Sequence, residues 1–210
     1  MPRKVPLERQ IPAAPFDPAA RSFLAQDQRP ADLMAVSPDE LSPLQRALLV
    51  IDGTVTTFLS AWALEPIAVQ PLSQRAVVLA AGQTWLDAAA GTPVLERSVL
   101  LVGLRSQSLF AFAESVICTE RLPAALRSGL LSGGLSLGQL LLLPGFESRR
   151  QGLWYGRERP GLLPPAVAAL TEPDFLTRTY RVSAASQPLM LITERFPWRP
   201  SYEAFLRDLR

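Results

Sequence analysis

Apolar positions fall at helical spacing near the start of this chain and at strand spacing through its middle and end. Ser37-Pro38-Asp39-Glu40 sets a capping serine, a first-turn proline and a glutamate three residues after the cap, which together open a helix. Ser42-Pro43 repeats the signal. Leu44, Ala47, Leu48 and Ile51 then follow at the spacing of a single apolar stripe. Asp52-Gly53 breaks this pattern, and Thr54 is placed to cap a second helix through Phe58, Ala61 and Trp62. After Pro66 the period shortens to two. Residues 67–70 and 76–80 alternate roughly, and 94–102 read as a fuller strand ended by Gly103. Residues 109–118 follow across a short turn, which predicts an antiparallel partner.

Farther along, 121–130 read as helix, Ser132-Gly133-Gly134 as a turn, and 137–143 as a second short helix stopped by Pro144. Gly133, Gly134 and Gly138 do not form a phosphate loop, because no lysine accompanies them and no GxGxxG follows a strand. Residues 145–174 carry no clear period; Trp154-Tyr155, set among arginines, reads there as an aromatic anchor on the surface. Two strands close the pattern, 175–182 and 189–196, across a turn at 183–187. Strands dominate the centre while helices gather at the start and in one inserted pair. The prediction is an α+β fold with one antiparallel sheet. Residues 1–36 hold six prolines and no sustained period, so they read as an extended or loosely packed arm ahead of a domain spanning 37–210.

Composition changes the picture mainly by what it removes. The chain has 210 residues, 48% hydrophobic and 19% charged, as an ordinary globular protein does. It lacks a run of about 18 apolar residues and a signal-peptide stretch, so a cytoplasmic protein with no integral membrane segment is expected. Of its 21 basic residues only Lys4 is not arginine, and the arginines are scattered apart from Arg149-Arg150, which gives no nucleic-acid stripe. Arginine does suit planar recognition of carboxylates. There is no histidine, which excludes serine–histidine and cysteine–histidine catalysis and histidine-ligated metals. Cys118 stands alone in an apolar run and reads as core. Any chemistry here rests on arginine, carboxylates, tyrosine and backbone groups, with no cofactor.

Strand parity singles out three ionisable residues. Residues two apart share a face of a strand. Arg97 therefore falls with Leu95, Val99 and Leu101, and Glu194 with Met190, Ile192 and Phe196. Glu114 falls with Phe110, Phe112 and Val116. A buried unpaired charge costs several kcal/mol. Three readings stand: an internal ion pair of Arg97 with Glu114 or Glu194, a strand flipped so that its charge meets solvent, or an enclosed pocket for an anionic ligand.

The chain also resembles a known family. Leu41-Ser42-Pro43-Leu44-Gln45-Arg46, Asp52-Gly53-Thr54-Val55-Thr56 and Glu65-Pro66-Ile67 are similar to the opening of chorismate pyruvate-lyases. Leu95-Glu96-Arg97-Ser98, Ala113-Glu114-Ser115, Arg121-Leu122-Pro123, Leu137-Gly138, Tyr180-Arg181-Val182 and 187–196 continue in family order. The resemblance spans about residues 38–197. It implies one antiparallel sheet covered by helices, with two helix-turn-helix flaps over a buried ligand. It also implies cleavage of chorismate to 4-hydroxybenzoate and pyruvate, feeding ubiquinone- or plastoquinone-type rings. By the same resemblance Arg97 binds the ring carboxylate and Glu194 lies at the reacting end. The apolar stripe around Glu194 predicts a raised pKa, with which it either donates a proton to the leaving enolpyruvyl oxygen or only orients the substrate. Backbone groups near Thr54, Val55 and Leu122 complete the substrate site. The implied partners are the small-molecule substrate and product, bound by a monomer that takes no nucleic acid. Ser136 stands where many relatives carry proline, which softens the second flap. The alternative is a non-catalytic, effector-sensing module of the same fold, which binds small anions without reacting them. Such modules follow a DNA-binding domain, for which 36 proline-rich residues are too few.

Overall fold

The structure is a computed structural model that describes residues 17–131 and 137–200. Its frame among these residues is one antiparallel six-stranded sheet, in the order β1-β2-β3-β6-β5-β4. The strands are β1 (Ile67–Val78), β2 (Pro93–Gly103), β3 (Leu109–Ile117), β4 (Arg149–Glu158), β5 (Phe175–Ala184) and β6 (Gln187–Pro197). The fold is α+β, as the pattern predicts. Residues 67–70 and 76–80 belong to one strand rather than two, because β1 runs through a register shift between Pro71 and Ser73. Proline is tolerated there since β1 is an edge strand, whose missing N–H removes no bond from the interior of the sheet. The hairpin between β5 and β6 turns on Ala185 and Ser186, both at positive φ, the conformation that matches the twist of paired strands.

Helices α1 (Pro43–Val50) and α2 (Val55–Ala63) stand where the capping signals put them. Ser42 and Gln45 cap α1 reciprocally: the Gln45 N–H donates to Ser42 Oγ at 3.3 Å and the Ser42 N–H to Gln45 Oε1 at 2.9 Å. Leu44, Leu48, Leu59 and Ala63 pack onto Val99, Leu101, Ala111 and Phe196 of the sheet. Helices α3 (Ala124–Leu131) and α4 (Leu137–Leu140) cover the adjoining part of the same face, packing Leu126, Leu130 and Leu140 on Leu95, Ile117, Met190 and Ile192. The glycine turn read at 132–134, and Ser136, lie outside the described residues, as do most of the prolines of the arm and residues 201–210. The opposite face is covered in part, by α5 (Pro165–Ala168) and by a turn carrying Trp85. No helix among the described residues is long and apolar enough to cross a membrane.

Two sequence readings change. The unreadable segment contains a whole strand, β4, and Trp154 and Tyr155 are buried in it at 9% and 6% exposure rather than displayed on the surface. The described part of the arm, from residue 17, is also not loose. It runs along β4 and forms bridges from Phe23 to Gly152 and from Met34 to Arg157, with Ala19, Ala25 and Leu33 buried. Glycine makes this approach possible. A β-carbon at Gly152 would collide with the Ser22 carbonyl, and one at Gly156 with that of Met34.

Candidate active site

The pairing register fixes what shares the helix-covered face. Arg97 lies opposite Ser115, and Val99 opposite Ala113. Across the next interface Ala113 lies opposite Glu194 and Ser115 opposite Ile192. Beyond them Glu194 faces Arg178, and Ile192 faces Tyr180. The central strand β3 contributes only Ala111, Ala113 and Ser115 here, so the floor is low where its flanks are tall. Between floor and helices lies a cavity of about 80 Å³. Val69, Val99, Leu101, Ala113, Ser115, Ile192, Tyr180 and Glu194 line it from the sheet, Thr54 and Val55 from the start of α2, and Leu137, Gly138 and Leu141 from α4 and its end. The two helix pairs meet above it: a β-carbon on Gly138 would stand 2.7 Å from Thr54 Cγ2. Thr54 occupies the N-cap position of α2, yet its side chain makes no capping bond. The first N–H groups of that helix therefore have no side-chain cap where they border the cavity.

Glu194 is buried, 8% exposed, and both its oxygens accept hydrogen bonds. Arg178 Nε donates to Oε2 at 2.8 Å and the Tyr180 hydroxyl to Oε1 at 3.1 Å. Burial, and then the neighbouring Glu194 charge, push the Tyr180 phenol well above its ordinary pKa, so it stays a donor. Arg178 is 5% exposed and reaches further. Its Nη1 donates to the carbonyls of Leu48 at 2.5 Å, Leu49 at 3.2 Å and Ile51 at 3.1 Å. These carbonyls end α1, where a cation meets the negative end of the helix dipole. One guanidinium thus joins the Glu194 carboxylate to the helix pair that carries Thr54 and Val55.

Arg97 differs from every other buried charge on this face. It is 8% exposed, and no described residue hydrogen-bonds or ion-pairs with its guanidinium. Burial alone lowers its pKa. Beside the pairing of its strand, its backbone carbonyl accepts from Ser115 Oγ at 3.4 Å. Two strand spacings and two residues separate it from Glu194, roughly 12 Å between α-carbons on ideal sheet dimensions. The cavity reaches its neighbours Val99 and Ser115, while Arg97 itself lies just beyond the lining. The internal ion pair between Arg97 and either glutamate does not occur.

Glu114 is not inward-facing. Its parity places it with Thr193 on the opposite face, where its half-exposed side chain pairs with Arg195 at 2.5 Å. A register shift near the start of β3, between Leu101 and Val102, breaks the alternation that put Phe110 and Glu114 on one face. Leu122 packs among Leu95, Ile117 and Leu126 and is not part of the cavity lining. Its N–H bonds the Thr119 carbonyl at 3.2 Å, and its own carbonyl accepts from Arg127 at 3.2 Å. Arg178 and Tyr180 are the site residues that sequence reasoning missed. The parity test applied to 175–182 contains them, since Arg178 falls between Leu176 and Tyr180 on one stripe.

A helix-covered cavity on one antiparallel sheet, with an ion-paired carboxylate in its lining and a buried cation just beyond it, has the form of a small-molecule site, and sequence comparison supplies the family. The family described as chorismate pyruvate-lyase, Rv2949c-like, matches residues 49–206. Chorismate pyruvate-lyase of Mycobacterium tuberculosis H37Rv is 31% identical over 157 residues, covering 72% of this chain and 78% of that protein. The Mycobacterium leprae protein of the same name is 29% identical over 170 residues, covering 77% and 79%. The chain belongs to the Rv2949c-like chorismate pyruvate-lyase family. Among solved structures, the effector domain of PhnF from Mycobacterium smegmatis aligns with a TM-score of 0.46 at 12% identity, over 69% of this chain and 88% of that one. The C-terminal domain of a histidine utilization repressor from Pseudomonas syringae aligns with a TM-score of 0.47 at 11% identity, over 62% and 91%.

Proposed function

We propose that this protein cleaves chorismate to 4-hydroxybenzoate and pyruvate, supplying an aromatic acid for quinone-ring synthesis. The observation that carries the reading is Arg97, a buried cation without a counter-charge on the face that holds Glu194. A carboxylate ligand turns that cost into a pair, with the planar fork matching a carboxylate edge. Thr54 and Val55 close the substrate site through the start of α2. Leu122, expected to add backbone groups, packs beside Leu95, two residues before Arg97, rather than in the cavity lining.

The chemistry needs little machinery. Loss of the enolpyruvyl group restores aromaticity, so the driving force is in the substrate. The ether C–O bond breaks, the adjacent hydroxyl-bearing ring carbon gives up its hydrogen, and the departing enolpyruvate takes a proton on carbon to become pyruvate. Glu194, ion-paired to Arg178, enters this sequence as a carboxylate rather than as the proton donor that its apolar stripe alone predicts. It accepts the ring proton and returns it to the leaving group, while Tyr180 holds the carboxylate in place through Oε1. Holding one reactive conformer supplies several kcal/mol of the barrier. A cavity of about 80 Å³ is far below the few hundred Å³ of typical ligand sites. The two helix pairs therefore part to admit substrate and close over it, acting as flaps over the 37–210 domain's single site.

Incubating the protein with chorismate tests this directly. Equal amounts of 4-hydroxybenzoate and pyruvate are expected above the slow uncatalysed rate. Tight chorismate binding without turnover would instead identify a sensing module.

A further inference from the structure

A second space adjoins the cavity. It is an open cleft of about 270 Å³ between α1, the arm and β4, bordered by Arg21, Arg149, Arg150 and Arg178. Arg150 and Tyr180 border both spaces, so the cleft and the cavity meet at these two side chains. Arg150 extends from β4 to the turn between α1 and α2, donating from Nη1 to the Asp52 carbonyl at 2.9 Å. No described carboxylate lies within ion-pair distance of it. Asp52 is the acidic residue bordering the cleft, against three arginines besides the paired Arg178. Its carboxylate does not neutralise them.

The charges of the enclosed site can be counted. Arg178 and Glu194 cancel. Arg97 and Arg150 remain, Arg150 in the lining of the cavity and Arg97 just beyond it, next to Val99 and Ser115. The proposed substrate is a dianion, with one carboxylate on the ring and one on the enolpyruvyl group. With the first on Arg97, the second falls beside the leaving oxygen, at the end that holds Glu194 and Tyr180.

We propose that Arg150 binds the enolpyruvyl carboxylate, positioning the leaving group against Glu194, and that the cationic cleft is the route by which this end of the substrate enters. This deepens the lyase reading and rests on it. After the bond breaks each product carries one carboxylate, so pyruvate stays on Arg150 at the edge of the open cleft and 4-hydroxybenzoate on Arg97 inside. Arg150 thereby selects the dicarboxylate over ring acids that carry a single charge. The electrostatic field agrees with this placement, since the Arg150 charge acts on the Tyr180 hydroxyl and opposes the rise in its pKa.

The test is Arg150→Gln, with Arg150→Lys beside it. The KM for chorismate is expected to rise about 10- to 100-fold in the glutamine variant, the loss of one charge-assisted pair. The 4-hydroxybenzoate Kd, read by calorimetry, should stay within about twofold, and lysine should recover part of the loss because the charge remains. A structural role through the Asp52 carbonyl would move 4-hydroxybenzoate affinity and melting temperature together with KM, and would overturn the proposal. An unchanged KM would overturn it equally. Failure of the lyase reading is separate, because the unaltered protein would then not convert chorismate. The ratio of chorismate to 4-hydroxybenzoate affinities in the two variants would still decide the role of Arg150.

Discussion

Four side chains on one sheet face do unequal work, and their partners explain why. Glu194 is doubly bonded, by Arg178 and Tyr180, so replacing it has two consequences. Glu194→Gln leaves the buried Arg178 without its counter-charge, which costs on the order of 3–5 kcal/mol. In the proposed mechanism it also removes the proton acceptor, worth about 10²–10⁴-fold in turnover. Denaturant unfolding and turnover, measured where the variant remains folded, are expected to show both losses. Undiminished stability would mean that the ion pair does not hold Glu194, and undiminished turnover would remove it from proton transfer. Strand parity alone puts Arg97 and Glu194 on the inward face, because a charge on an apolar stripe stands out. It failed for Glu114, because its stripe-mates Phe112 and Val116 lie on the opposite face of the sheet, which is also partly apolar, and a period of two does not say which face is which. It passed over Arg178 because Thr177, Thr179 and Arg181 flank it with polar residues, and the stripe is less plain.

At the scale of elements, the site depends on how two helix pairs close on the sheet. The first pair was legible in its placement, because Ser42-Pro43 and Asp52-Gly53-Thr54 are local signals, although Thr54 stands at the N-cap of α2 without a side-chain capping bond. β4 was not legible. Its alternation is broken by a register shift between Gly152 and Trp154, and its apolar residues are buried on both faces, against Ala25 and Leu33 as well as against the main core. The arm hid for a related reason: Phe23, Ala25 and Leu33 are isolated in sequence and need only a backbone path along β4, not a period. The closure itself rests on Gly138, where the absence of a side chain lets α4 approach Thr54. Gly138→Val is expected to hold the pairs apart. A displacement of about an ångström at the site lowers kcat/KM on the order of 100-fold, while the melting temperature moves by only a few degrees. Steady-state kinetics with normal kcat/KM would show that the pairs do not need to meet there.

Across the whole molecule, six strands and their covering helices bury Arg97, a cation with no counter-charge among the described residues. The stability of the protein is then expected to rise when that cation is either removed or paired. Both can be read from one quantity. Arg97→Met replaces a buried unpaired charge by an apolar chain of similar reach, a change that is often neutral or stabilising by about 1–4 kcal/mol. Ligand that binds only the folded state stabilises by mass action, by about 2.7 kcal/mol at a hundred times its Kd. The most direct measurement is therefore the melting temperature of the natural protein and of Arg97→Met, each with and without saturating 4-hydroxybenzoate. The prediction is that the ligand raises the melting temperature of the natural protein, and that Arg97→Met melts no lower without ligand and does not respond to it. A variant that melts lower, or that keeps the full ligand-induced rise, would contradict the assignment of Arg97 as the carboxylate-binding residue of an enclosed site.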